Sequence, residues 1–354
     1  MPNHQLMKTS VFVIIPNLNG AEQLPASIDS VLAQSHQDLR LVIVDNGSTD
    51  NSREIIEAYK QRDPRITAIY REKNYGYTGG VNPGMELAIK EGAEFVAPFN
   101  NDAIADTDWL KELVHFLREH PDFGIAACKL LHADGKTFDS TGDQYSVWGI
   151  PYPRSRAEPV SDIYDTQTVV FGASGGASLY RTRLLVEIGL FDQDFFAYYE
   201  DVDLSFRAQL AGWKVAYVPN SIVYHEQGKT SGRMKSGFFT YHYMKNLPYL
   251  LIKDVPAELL FRIAPRFALV HLMALVYLIL VRHKGWSAIK GLLESLMHLP
   301  KKLVERRRIQ KHRKVSSAYM WSILLHELPP NVHKLKKLPS IWRQGFLQRY
   351  TMGR

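Results

Sequence analysis

The stretch LRLVIVDNGSTDNS, residues 39–52, decides the fold. Its first six residues are rich in Leu, Val and Ile, a run suited to a strand buried on both faces. The run stops at Asp45, and Asn46-Gly47 turns the chain. Ser48, Thr49, Asp50 and Asn51 then offer successive caps for a helix predicted through about Arg62. The same pattern recurs on either side. Val11–Ile15 (VFVII) is a β-branched run ended by Pro16, and Ile66–Tyr70 and Phe95–Phe99 are two more short apolar runs. Between the last two, Asn82 followed by Pro83 predicts a helix start, and Gly92 its end. Strands spaced by helical stretches predict the α/β class, a mostly parallel sheet flanked by helices on both faces.

Ligands of such sheets bind beyond the carboxyl ends of the strands. Those ends carry Pro16–Asn19, Asp45–Asp50, Asn74–Asn82 and Asn100–Asp102. Each alone reads as a turn sooner than as a site, with Asn-Gly supplying positive φ and Ser, Thr or Asp supplying a cap. NYGYTGG (residues 74–80) is glycine-rich but lacks both the Gly-Lys-Ser/Thr of a P-loop and the spacing of a dinucleotide fingerprint. Gathered at successive strand ends, the four segments predict one polar site.

The composition agrees with a folded globular protein. The chain has 354 residues, 45% hydrophobic and 22% charged, which excludes a disordered or fibrous protein and suggests one large or two domains. A single cysteine, Cys128, excludes a disulfide framework and a cysteine-rich metal site, and makes a reduced cytosolic setting the default. Met1–Ser10 is polar and the apolar run after it is short, so no signal peptide is expected there. The net charge of +7 is uneven. Residues 1–235 hold 22 Lys+Arg against 31 Asp+Glu, and residues 236–354 hold 21 against 5. An acidic first part and a basic tail predict two regions, 1–235 and 236–354, the second with an anionic partner.

PNLNG (16–20), VDNGSTDNS (44–52), NYGYTGGVNPG (74–84), FNNDA (99–103) and GLFDQDFFAYYEDVDLSFRAQLAGWKVAYVPNSIVYHEQGKTSG (189–232) together resemble a family 2 glycosyltransferase, nearest to its bacterial rhamnosyltransferase-like branch. The resemblance covers roughly residues 10–235. It implies a GT-A nucleotide-sugar-binding fold and inverting transfer of a sugar from a nucleotide-diphosphate donor, with dTDP-rhamnose or a UDP-sugar as candidates. The acceptor it implies is a glycan or polyprenyl-linked glycan in cell-envelope polysaccharide synthesis.

A diphosphate leaving group gathers negative charge that a divalent cation, Mg²⁺ or Mn²⁺, would offset. By resemblance Asp102 is the metal ligand. The motif holds one carboxylate where the family has two, with Asn100 and Asn101 beside it, and Asn100 can only hydrogen-bond. His225 matches a position where relatives supply an imidazole ligand, and serves equally well as a structural histidine. Asp45, Pro16, Asn17, Asn19 and Asn74 fall to the nucleotide pocket, with Gly79 and Gly80 covering the nucleotide. Ser174-Gly175-Gly176 resembles a loop that brings the acceptor to the donor.

The general base is expected in YEDVD (199–203). Asp201 is the first candidate and Glu200 the second. The alternative is a set of acids stabilising a helix N-terminus. Of the aromatic run 195–199, Phe195 reads as core and the rest as a wall for a sugar. Lys229, Ser231 and Arg233 either close over the diphosphate or belong to a solvated loop. A non-catalytic protein keeping the fold as a sugar-nucleotide or membrane-binding module is the alternative function.

In the tail, Phe267–Val281 is a 15-residue apolar run, short of the ~20 residues that span a bilayer. With the basic run 301–314 it predicts a helical extension lying on an anionic membrane. A helical subdomain with a solvated basic face is the alternative. No nucleic-acid motif accompanies the charge, so nucleic acid is not an expected partner. The expected location is cytoplasmic, peripheral on the cytoplasmic face of the inner (plasma) membrane.

Overall fold

The computed structural model describes residues 9–226 and 236–327, so Lys229, Ser231 and Arg233 lie outside the described residues. The strands are β1 (Val11–Asn17), β2 (Leu39–Asp45), β3 (Ile66–Tyr70), β4 (Phe95–Pro98), β5 (Ala103–Ala105), β6 (Phe123–His132), β7 (Phe138–Ser140), β8 (Asp143–Tyr145), β9 (Pro151–Pro153), β10 (Thr168–Val170), β11 (Leu179–Arg181) and β12 (Lys214–His225). A ten-stranded sheet runs β10-β12-β6-β11-β4-β1-β2-β3, with β5 on β12 and β7 on β6. β3, β2, β1 and β4 are mutually parallel, and so are β12 and β6; β11 joins the two groups antiparallel to both.

Alternation along the central strands explains the layers. Val11, Val13 and Ile15 of β1 and Leu41 and Ile43 of β2 fill one core. Phe12, Ile14, Val42 and Val44 fill the other. Successive side chains leave opposite faces of a strand, so a continuous apolar run needs a layer of helices on each side. The first core is closed by α1 (Leu24–Leu32) and, after α2 (Ser52–Arg62) and α3 (Gly76–Glu91), by α4 (Trp109–Glu119). The second is closed by α3, α5 (Thr182–Ile188) and α6 (Glu200–Leu210).

Two local expectations are corrected. β1 runs past Pro16 to Asn17, because its other neighbour β4 stops pairing at Ile14 and leaves Pro16 only one strand to satisfy. α3 starts at Gly76 rather than Asn82. Pro83 sits inside it, and Asn82 donates through Nδ2 to the Phe191 carbonyl at 2.8 Å instead of capping. The end is as expected: Gly92 caps it at φ 72°, a left-handed conformation that favours glycine.

Beyond the sheet come α7 (Phe238–Asp254), α8 (Ala257–Leu280), α9 (Gly285–Met297), α10 (Leu299–Lys311) and α11 (Ser317–Ile323); α7 and α10 pack onto α6, α8 and α9 onto α7, and α11 onto α8. Leu247, Tyr249, Leu250, Ile263 and Phe267 from these helices share one core with Tyr145, Phe171, Phe195 and Phe206. The apolar run of the tail thus belongs to a 24-residue helix that continues through Pro265.

Candidate functional site

Strand register assembles the first part of the site. β12 pairs antiparallel with β5, placing His225 opposite Ala103, next to Asp102. β6 lies on the other side of β12 and carries β7, which holds Asp139. His225 Nδ1 is 2.7 Å from Asp139 Oδ2, and Arg156 pairs with the other oxygen of that carboxylate. His225 Nε2 is 3.1 Å from Asp102 Oδ1 and 3.1 Å from Asn100 Nδ2. The Asp139 carboxylate can only accept from Nδ1–H, and in the neutral tautomer this leaves, the Nε2 lone pair faces Asp102 and Asn100. Two electron-rich groups this close need a proton or a cation beside them. A carboxylate and an imidazole held by an outer carboxylate form a donor set that fits a divalent cation whose remaining ligands are water and phosphate.

The second part is the start of α6. Phe196, Tyr198 and Tyr199 all have positive φ (63°, 69° and 72°). Such residues cost on the order of 1–3 kcal/mol each. Asn246 of α7 donates to the carbonyls of Phe195, Ala197 and Tyr198 at 2.9–3.0 Å. At about 1 kcal/mol per bond the amide offsets part of that strain. Burial of Phe195 in the shared core adds to it.

The result aims Asp201 at Gly175, whose N–H donates to Asp201 Oδ2 at 2.9 Å, while Val202 N–H donates to Oδ1 at 2.8 Å. Burial pushes the Asp201 carboxyl above the usual carboxylate range. Glu200 is pushed well above it by burial and by the charge of Asp201, and its buried Oε2 has no hydrogen-bond partner among the described residues. Asp143 is raised by the same two causes.

Gly175-Gly176 is the hinge between the two parts. Asn100 N–H donates to the Gly176 carbonyl at 2.8 Å, and Tyr77 OH donates to the Gly175 carbonyl at 2.7 Å. A Cβ on Gly176 would lie 2.8 Å from Asn100 Nδ2, so no larger residue fits without moving that amide. Both parts face one cleft of about 990 Å³, lined also by Pro16, Asn17, Asn74 and Asn101.

The model of glycosyl transferase family 2 matches residues 12–189, half of the chain. The chain belongs to glycosyl transferase family 2. It is 25% identical over 267 residues to N-acetylglucosaminyl-diphospho-decaprenol L-rhamnosyltransferase of Mycobacterium tuberculosis, covering 68% of this chain and 83% of that one. Two solved structures share the fold. One is S. aureus TarS 1–349 in complex with UDP-GlcNAc, at a TM-score of 0.54 and 17% identity, covering 85% of this chain and 90% of that one. The other is the mannosyltransferase PcManGT from Pyrobaculum calidifontis in complex with GDP-Man and Mn²⁺, at 0.50 and 17%, covering 88% and 85%. The sheet and its flanking helices are therefore the GT-A fold.

Within this glycosyltransferase the expected residues separate into those that face the cleft and those that support it. Asp45 lies fully buried beneath it, held through Oδ2 by Arg53 Nε at 2.8 Å, while Oδ1 has no hydrogen-bond partner. Asn19 holds Thr49 N–H through Oδ1 at 2.7 Å, which fixes the β1 loop against the β2 loop. Asn101 Nδ2 donates to Asn17 Oδ1 at 2.8 Å and joins the β1 and β4 loops. Gly79 and Gly80 do not line the cleft. They lie inside α3, and Gly80 lets that helix approach Pro16 and Asn46, where a Cβ would lie 3.0 and 3.3 Å away. Of the YEDVD acids, Asp203 is structural: it is fully buried and pairs with Arg207 at 2.7 Å and Lys253 at 2.5 Å.

Sequence reading missed four residues of the site. Asn46 donates to Asn74 Oδ1 at 3.2 Å and to the Gly76 carbonyl at 2.8 Å, and ties two loops together; its place in DNGSTD was the available signal. Tyr77 stood inside NYGYTGG. Asp139 and Asp143 stand in no motif, and only the pairing of β7 and the β8–β9 hairpin brings them in. A third acidic group, Asp192, Asp194 and Glu305, is close enough to chelate an ion but is filled by Lys302, which lies 2.6–2.8 Å from all three carboxylates.

Proposed function

We propose that the enzyme is an inverting, divalent-cation-dependent glycosyltransferase. It takes a sugar from a nucleoside-diphosphate donor and places it on a glycan carried by a polyprenyl diphosphate, in cell-envelope polysaccharide synthesis. The observation that carries this reading is the meeting of Asp102–His225 and Asp201 at one cleft, across the Gly175-Gly176 hinge.

The nucleoside would lie over the β1, β2 and α3 loops, against Pro16, Asn17 and Asn74 of the cleft wall, with the buried Asp45 beneath them. Asp102 and His225 would hold the cation, Mg²⁺ or Mn²⁺, which when bound offsets the charge of the leaving diphosphate. Asp201 receives the proton of the acceptor hydroxyl as that oxygen bonds to the anomeric carbon. The bond from that carbon to the diphosphate oxygen breaks on the opposite face, and the nucleoside diphosphate leaves with its electron pair. The N–H groups of Gly175 and Val202 orient the Asp201 carboxylate. Glu200, unpartnered behind it, is the second candidate for the base. Tyr198 and Tyr199 would form the wall against the acceptor sugar. The candidate donors are dTDP-rhamnose and a UDP-sugar; the L-rhamnosyltransferase relative supports the rhamnosyl group alone.

The basic region 236–354 would hold the enzyme on the cytoplasmic face of an anionic plasma membrane, with residues 1–235 as its catalytic region.

The test is a thermal-shift screen of nucleotide sugars with Mn²⁺ or Mg²⁺, followed by donor hydrolysis. One nucleotide sugar should raise Tm and be consumed, and Asp102→Ala should abolish the cation requirement together with turnover. A chain that neither binds nor consumes any donor is not a transferase.

A further inference from the structure

Among the described residues, sixteen of the twenty-two exposed large hydrophobic ones fall between Phe261 and Val304. Soluble proteins rarely leave contiguous apolar surface of this extent bare. α8 divides into three strips. Ile263, Phe267 and Val270 hold the shared core. Leu269, Leu272, Met273, Val276 and Leu280 face outward. Ala274, Tyr277 and Leu278 line the catalytic cleft. α9 continues the outward surface with Trp286 (79% exposed), Ile289, Leu293 and Met297, one face of the helix.

The charges say what covers this surface. Residues 257–297 hold two acids, Glu258 and Glu294, bound to Arg313 and to Tyr241 OH. Arg262, Arg282 and Lys290 are exposed around the apolar face. An apolar face rimmed by cations suits an anionic lipid surface. α8 is long and apolar enough to cross a bilayer. A crossing helix, however, needs its full length of about 20 residues in hydrocarbon. One strip of α8 is already packed on the catalytic region from Leu259 to Val270.

We propose that the α8–α9 hairpin lies in the plane of one leaflet of an anionic bilayer, and that the cleft opens sideways into that leaflet over Ala274, Tyr277 and Leu278. The apolar tail of the acceptor then enters along α8 without leaving the lipid, while its sugar reaches Asp201. The tail path rests on the reading of the acceptor as a lipid-linked glycan; the placement of the hairpin does not.

Two measurements test this. Arg262→Cys and Arg282→Cys put thiols about 30 Å apart along α8. Cys128 is buried, with its thiol pushed up to about 12, so it stays silent. On inside-out membrane vesicles of cells expressing the full chain, a membrane-impermeant maleimide should label both engineered thiols. Protection of one until detergent is added means a spanning helix and overturns the placement. So does a soluble dimer that shields both thiols and ignores phosphatidylglycerol vesicles.

For the path, Leu278→Asp should raise KM for a long-chain polyprenyl-linked acceptor at least about ten-fold relative to KM for a short-chain analogue with the same sugar, the effect of roughly two buried methylenes. An equal change for both acceptors overturns the path. Absence of transfer to either acceptor by the unmodified enzyme would instead remove the transferase reading and leave the labelling result standing.

Discussion

Two groups of carboxylates lie within twelve residues of each other in the chain, and they behave in opposite ways. Asp192, Asp194 and Asp203 meet Lys253, Lys301, Lys302 and Arg207 at 2.5–2.8 Å. Burial alone would raise the Asp192 carboxyl, but the two lysines outweigh it and hold it far below the usual range. Asp194 and Asp203 are lowered in the same way. Glu200 and Asp201 are also enclosed, yet among the described residues the hydrogen bonds to the Asp201 carboxylate come from backbone N–H groups, and both carboxyls are raised. A buried acid with a cation is a strut. A buried acid left without one at a cleft costs stability, and such costs are a mark of function.

The largest break in this comparison comes from Asp201→Asn. It keeps the shape and should leave Tm near that of the parent, while kcat falls by roughly 10²–10⁴, the usual worth of a general base. A loss below ten-fold would move the base to Glu200. The mirror change is Lys302→Met, in a fully buried side chain that neutralises three acids. Stranding buried charges costs about 3–5 kcal/mol. The effect should appear as a lower Tm, with the donor requirement unchanged. If Lys302→Met is stable and Asp201→Asn is not, the two groups have been assigned the wrong way round.

The fold was readable because its signal is local. VFVII, LRLVIV and the capped turn after Asp45 each state their own conformation, and the order of such units leaves few topologies. The helix at Gly76 was misplaced by six residues because Asn82-Pro83 carries the local marks of a start. Tertiary packing overrode them when Asn82 found the Phe191 carbonyl. The candidate site was legible where motifs carry it, Asp102 after β4 and Asp201 in the first turn of α6. Its supports were not. Asp139 on β7 reaches His225 on β12 across the one strand between them, β6, from 86 positions away. Nothing within YEDVD tells Asp201 from Asp203; Arg207, one turn past Asp203, is the local sign, and the other cation, Lys253, lies fifty residues on.

A third effect bears on how such remote support works. Asp139→Asn should weaken Mn²⁺ binding about 10–100-fold, measured by the paramagnetic resonance of free Mn²⁺ in the presence of a nucleoside diphosphate. The reason is orientation: the amide can donate to Nδ1 as well as accept from it, and so frees the tautomer of His225. Unchanged Mn²⁺ affinity would make the Asp139–His225 pair a structural contact.

The smallest effect, and the one that weighs both groups of acids at once, is the order of losses on acidification. Asp201 has its pKa raised above 3.8, so the ionised base is lost as pH falls through that raised value, and activity goes with it. Asp192 has its pKa held below its ordinary 3.8. Its contribution to stability is complete above 3.8 and is lost only as pH falls from there toward the depressed native value. Between the two, the enzyme should be inactive, folded, and fully recoverable on return to neutral pH. The check is the acid limb of kcat beside Tm over the same pH range. Activity and Tm falling together would mean that the acids at the cleft and the acids under α10 form one linked network rather than a reactive pair set beside a strut.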